Sequence, residues 1–78
     1  MSTKRKLTEL KPGEKGHIVS VSAQGSLCKK MLDMGLVVGA ELKVVRLAPA
    51  GDPVEVLIRG YCLALRKNEA INLTLEVD

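Results

Sequence analysis

Cys28, Cys62 and His17 are the side chains best suited to nucleophilic, redox or metal chemistry, and their local spacing supports none of the three. His17 is the single histidine, with no Ser or Cys at a suggestive distance along the chain. The two cysteines lie far apart, so there is no Cys-x-x-Cys pair and no zinc-ligand spacing. Only tertiary folding could join Cys28, Cys62 and His17 into an iron site, and free cysteine more often behaves as a small buried hydrophobe. Phosphate chemistry fares no better. No Gly-x-x-x-x-Gly-Lys-[Ser/Thr] run is present, which removes a P-loop NTPase. Ala50-Gly51-Asp52 lacks the lysine and the helix that such a loop needs. The acidic residues are scattered, as on the outer faces of strands. The expectation is a protein that is not an enzyme, with no cofactor and no resident metal.

Charge narrows the partner classes. The formal charge is +3, and Lys4, Arg5 and Lys6 account for it; from Leu7 onward basic and acidic residues balance. A nucleic-acid footprint needs clustered basic charge on the fold itself, so none is expected. Residues 1–6 read as a flexible basic N-terminus. The competing reading makes them the arm of a small nucleic-acid-binding barrel. Tyr61 is the only aromatic residue, too few for a proline-rich peptide groove or a base-stacking platform. No stretch approaches the roughly 18–20 apolar residues of a membrane helix. The basic start is not followed by an apolar segment of the secretory kind, so the expected location is cytoplasmic, with both cysteines as free thiols.

The elements that would carry a site follow from periodicity. A chain of 78 residues makes one domain with an aliphatic core of Leu and Val. Pro12-Gly13 marks a turn. Lys15 to Ser22 reads as the first strand. Gln24 to Met34 reads as one short helix, stopped by Gly35 in a C-cap position. Glu41 to Ala48 is a second strand, broken by the two-proline loop Ala48 to Pro53. Val54, Val56 and Ile58 then alternate with Glu55, Leu57 and Arg59; Gly60 turns the chain; Tyr61, Leu63 and Leu65 alternate in their turn. Ile71, Leu73, Leu75 and Val77 complete the pattern of half-buried strands. The fold class is mainly β: an SH3-like small barrel of about five strands, with the helix inserted between the first and second. Periodicity alone does not separate it from an OB-fold.

The helix has more apolar surface than docking requires. Leu27, Met31 and Met34 share one face at i, i+4, i+7; Cys28 and Leu32 form an adjacent stripe. One reading is a single wide buried face; the other starts from a core already supplied by the strands, Tyr61 and Ile71 included, so that one stripe suffices to dock the helix and an edge stays exposed for a partner. The expectation is that Leu32, Cys28 and Met34 dock, leaving Leu27 and Met31 as outward anchors for a partner, with Lys29 and Lys30 at the rim.

Three segments together resemble the FeoA family. They are Leu10-Lys11-Pro12-Gly13-Glu14-Lys15-Gly16; Met31-Leu32-Asp33-Met34-Gly35-Leu36 with Gly39; and Ala48-Pro49-Ala50-Gly51-Asp52-Pro53 through Arg59-Gly60-Tyr61 to Leu63-Ala64-Leu65-Arg66-Lys67 and Glu69-Ala70. The resemblance covers about Leu7 to Val77 and implies a FeoA-type SH3-like domain over residues 7–78. It also implies a role in ferrous-iron transport beside FeoB, a membrane protein with a cytoplasmic GTPase domain. The partner expected is FeoB, met from the cytoplasmic side without membrane insertion; homo-oligomerisation stays open. The same domain type occurs fused to metal-dependent repressors, which makes a metal-responsive regulatory module the alternative. Lys30 stands where the family often has Arg, and Val38 where it often has Pro. Arg59, beside the Gly60 turn, is the residue best placed to reach a partner's active site as an arginine finger.

Overall fold

The computed structural model describes residues 3–77. Six strands and two helices follow one another as β1 (Thr3–Lys6), β2 (Lys15–Val21), α1 (Gly25–Asp33), β3 (Glu41–Leu47), β4 (Val54–Ile58), β5 (Tyr61–Leu65), α2 (Lys67–Ala70) and β6 (Leu73–Val77). Short 3-10 turns occupy Leu7–Glu9 and Pro49–Gly51. The strands form one antiparallel sheet in the order β1-β6-β2-β3-β4-β5.

Alternation drives the sheet. Val54, Val56 and Ile58 of β4 are buried, as are Leu73 and Leu75 of β6, while Leu57 faces outward. Register irregularities between Ile18 and Ser20 and between Val44 and Arg46 bend β2 and β3, and such bulges raise the local twist. The sheet thereby curls around one core that also takes in Leu7, Leu10, Met31, Leu36 and Ala70. Gly16 marks the tightest approach. A Cβ there would collide with the backbone carbonyl of Glu76 on β6, so only glycine fits. The Lys11–Glu14 turn is fastened beside it. Lys11 N–H donates to Glu14 Oε1 at 2.7 Å, and the Gly13 N–H donates to the Val44 carbonyl at 2.8 Å.

Three expectations change. Residues 3–6 are not a free tail: they pair with β6, from Thr3 opposite Val77 to Lys6 opposite Thr74. Arg5 is held by Glu14 Oε2 at 3.3 Å and donates to the Glu9 carbonyl at 2.7 Å. Residues 1 and 2 lie outside the described residues. Three consecutive cations hide the strand period, and charge of this kind suits an edge strand. The strand count is therefore six, and the helix lies between the second and third strands. Tyr61 and Ile71 are not core residues; each leaves about half its surface exposed, 48% and 49%. Tyr61 stands at the rim of the sheet's end strand, and Ile71 caps α2 instead of continuing β6.

Candidate docking surface

The helix settles which stripe docks. Met31 is completely buried, and Leu27 and Met34 pack half-buried against the core; Leu32 is 47% exposed and Cys28 half-buried. Leu27 and Met31 are thus not outward anchors and Leu32 does not dock, while Met34 packs inward as expected. The cause lies at the helix end. Gly35 at φ 89 takes the left-handed conformation after the C-cap residue Met34. Gly35 N–H donates to the Leu32 carbonyl and Leu36 N–H to the Met31 carbonyl, both at 3.0 Å. This Schellman pattern brings the residue after the glycine against the helix residue five before it. Leu36 and Met31 are both fully buried, so the turn pins the Leu27–Met31–Met34 stripe to the interior.

Of the two rim lysines, Lys29 is exposed, whereas Lys30 is engaged within the molecule. Its Nζ lies 2.9 Å from Glu69 Oε2, and the Glu69 side chain is only 6% exposed. The Arg66 backbone N–H donates to Glu69 Oε1 at 2.9 Å. The Lys30 hydrogen bond first, and the Arg66 N–H second, hold the Glu69 carboxyl below its ordinary pKa; burial opposes them and loses.

Arg59 is brought to the helix by the β4–β5 turn. Arg59 and Gly60 take φ 51 and 86, the pair of positive values of a two-residue type I′ hairpin. Arg59 Cδ and Nε and the Tyr61 hydroxyl each lie 3.7 Å from where a Gly35 Cβ would sit. Tyr61 Oη donates to the Met34 carbonyl at 3.3 Å, one of the acceptors that a helix end leaves over. Leu32, whose carbonyl accepts the Gly35 N–H, is exposed on the last turn of α1. The result is a surface centred on Gly35, made of exposed Leu32, the exposed ring of Tyr61 and the Arg59 guanidinium. Among the described residues Arg59 forms no ion pair.

The chemistry-bearing residues are not assembled. Cys28 is half-buried, Cys62 is exposed on β5, and His17 faces Glu76 on the sheet exterior at 3.6 Å. Among the described residues no group of three or more His, Cys, Asp or Glu side chains is arranged to hold a metal ion. No helix among them is long and apolar enough to cross a membrane.

A family model described as the FeoA domain matches residues 5–77. The chain belongs to the FeoA family. A curated relative, the Fe(2+) transport protein A/Fe(2+) transporter FeoB fusion protein of Porphyromonas gingivalis, is 38% identical over 72 residues. That alignment covers 92% of this chain and 8% of the fusion protein's length. The solution structure of the FeoA protein from Chlorobium tepidum is 45% identical, with a TM-score of 0.85 over 94% of this chain and 70% of that one. The crystal structure of Stenotrophomonas maltophilia FeoA complexed with zinc, described as a procaryotic SH3 domain protein, is 28% identical, with a TM-score of 0.75 over 100% of this chain and 89% of that one. The FeoA fold is thus SH3-like and mainly β.

Within this FeoA fold, sequence reasoning found Arg59 and Lys29 as surface residues and missed Leu32 and Tyr61. Tyr61 carried one signal: as the only aromatic in the chain, it is an unusual choice for an aliphatic core. Leu32 carried none, because two apolar stripes side by side do not announce which one faces out.

Proposed function

We propose that the chain is a non-enzymatic, cytoplasmic accessory protein of ferrous-iron uptake that acts by docking onto FeoB. One observation carries the reading: in the Porphyromonas gingivalis relative, a segment matching 92% of this chain is part of the same polypeptide as FeoB. Two partners whose association matters gain effective concentration when joined in one chain.

The contact proposed is the surface around Gly35. Leu32 and Tyr61 supply apolar anchors, Arg59 a charged donor with a planar fork, and Lys29 the rim. Tyrosine and arginine are the residue types that most often dominate interface energies. Leu27 and Met31 leave the contact and support it from beneath.

The experiment is capture of detergent-solubilised FeoB by the tagged protein, with and without guanine nucleotide. Wild type should retain FeoB, and Tyr61→Ser should retain markedly less at unchanged fold. A wild-type protein that captures no FeoB under either nucleotide condition ends this reading.

A further inference from the structure

The two free edges of the sheet are built differently. β1 carries Lys4, Arg5 and Lys6, and charge is a common guard against unwanted strand addition. β5, the opposite edge, reads Tyr61-Cys62-Leu63-Ala64-Leu65, with no charge, no proline and no glycine. Among the described residues no loop or helix supplies a backbone hydrogen bond to this strand. Its ladder to β4 begins at the Arg59-Gly60 turn, where Ile58 faces Tyr61. The residues flanking a two-residue hairpin turn exchange backbone hydrogen bonds, and the pattern then alternates. The backbone N–H and C=O groups of Cys62 and Ala64 therefore point away from β4, into the open edge. Both residues are exposed.

We propose that β5 accepts an extended segment of a partner protein as an added strand, and that this segment has an uncharged centre flanked by carboxylates. Strand addition takes affinity from main-chain hydrogen bonds and selectivity from what lies beside them. Here the flanks are basic. Arg59 precedes the strand and Arg66 and Lys67 follow it; all three are exposed, and none forms an ion pair among the described residues. A second copy of β5 fits this edge poorly. Antiparallel self-pairing about Leu63 would bring the turn that carries Arg59 beside the Arg66-Lys67 end of the second copy at both ends, gathering like charge there. The proposal rests on the reading of the chain as a docking module and narrows its partner to a chemistry.

The test uses the whole protein and two synthetic peptides, Glu-Thr-Val-Thr-Val-Thr-Glu and the same sequence with terminal lysines. Amide hydrogen exchange at Cys62 and Ala64 should slow by at least about tenfold with the glutamate peptide and stay unchanged with the lysine peptide. Ala64→Pro removes an outward N–H, leaves the β4 ladder intact and should weaken peptide binding by at least about fivefold, the loss of one hydrogen bond. Should that variant fail to fold, Ala64→Glu keeps the N–H, sets a carboxylate on the edge against those of the peptide and should give a loss in the same direction. Exchange unchanged by the glutamate peptide overturns the proposal. So does equal slowing by both peptides, because the flanking cations would then select nothing. Protection of Cys62 and Ala64 that rises with protein concentration alone assigns the edge to a second copy instead. FeoB capture left undiminished by Ala64→Pro removes the strand from that contact while the FeoB reading stands, whereas wild type that fails to capture FeoB ends that reading without touching the peptide result.

Discussion

Lys30 Nζ and Glu69 Oε2, 2.9 Å apart, join α1 to α2 across the end of the curled sheet. The carboxylate is buried and the lysine, 63% exposed, reaches over it from solvent. Glu69 also accepts the Arg66 N–H at the start of α2, so one side chain organises two helices.

A group whose folded pKa lies below its unfolded value adds stability above the unfolded value, and that stability is lost as pH falls through the folded one. For Glu69 the stabilisation is in place above about pH 4.3, the ordinary glutamate value, and disappears on further acidification. Lys30→Met should lower stability near neutral pH by about 1 kcal/mol, a charged hydrogen bond discounted for the lysine's exposure. It should also flatten the fall in stability below about pH 4.3, because Glu69 then loses its strongest stabilising partner. Urea titrations at a series of pH values measure both effects. A Lys30→Met curve parallel to wild type throughout would show that the pair does not set the Glu69 pKa.

Leu32 and Met31 are neighbours in sequence with opposite fates. Met31→Gln places a polar amide in a dry core and should cost about 2–5 kcal/mol. Leu32→Gln should change stability by no more than about 0.5 kcal/mol while weakening FeoB capture. Thermal unfolding and co-purification of each variant separate the two roles. A Leu32→Gln protein that melts as early as Met31→Gln contradicts the packing described.

Arg59 sits at φ 51, a conformation that costs most side chains energy and that asparagine tolerates. Asn-Gly is the favoured pair for a type I′ turn. Arg59→Asn should therefore raise stability by about 0.5–1 kcal/mol and reduce FeoB binding, a combination that a purely structural arginine would not produce. FeoB GTP hydrolysis measured with this variant also bears on an arginine finger: rates equal to those with wild type dismiss it.

Gly16→Ala forces a methyl group onto the Glu76 carbonyl, and backbone has little freedom to move aside. The expected loss is about 1–3 kcal/mol, read as an earlier thermal transition. Gly13→Ala is a useful contrast. Its Cβ would meet open space, so any loss there comes from the positive φ of 93 alone.

The period-two runs of β4 and β6, the turns at Pro12-Gly13 and Arg59-Gly60, and the glycine that ends α1 were all legible in the sequence, because each is dictated by local backbone and side-chain preferences. The FeoA resemblance was legible from the order and spacing of three motifs. Tertiary structure decided the rest. Lys4, Arg5 and Lys6 look like solvated tail until β6 offers them a strand to pair with, and a single edge strand needs only one partner to form. Tyr61 obeys the alternation of β5, yet its strand lies at the end of the sheet, where the inward direction meets the helix terminus and solvent rather than more core. The helix carried two adjacent apolar stripes, and composition gives them equal claim to the interior. The choice fell to Met31 because the turn through Gly35 swings Leu36 back against it, a contact set by how the chain leaves the helix and not by how apolar either stripe is.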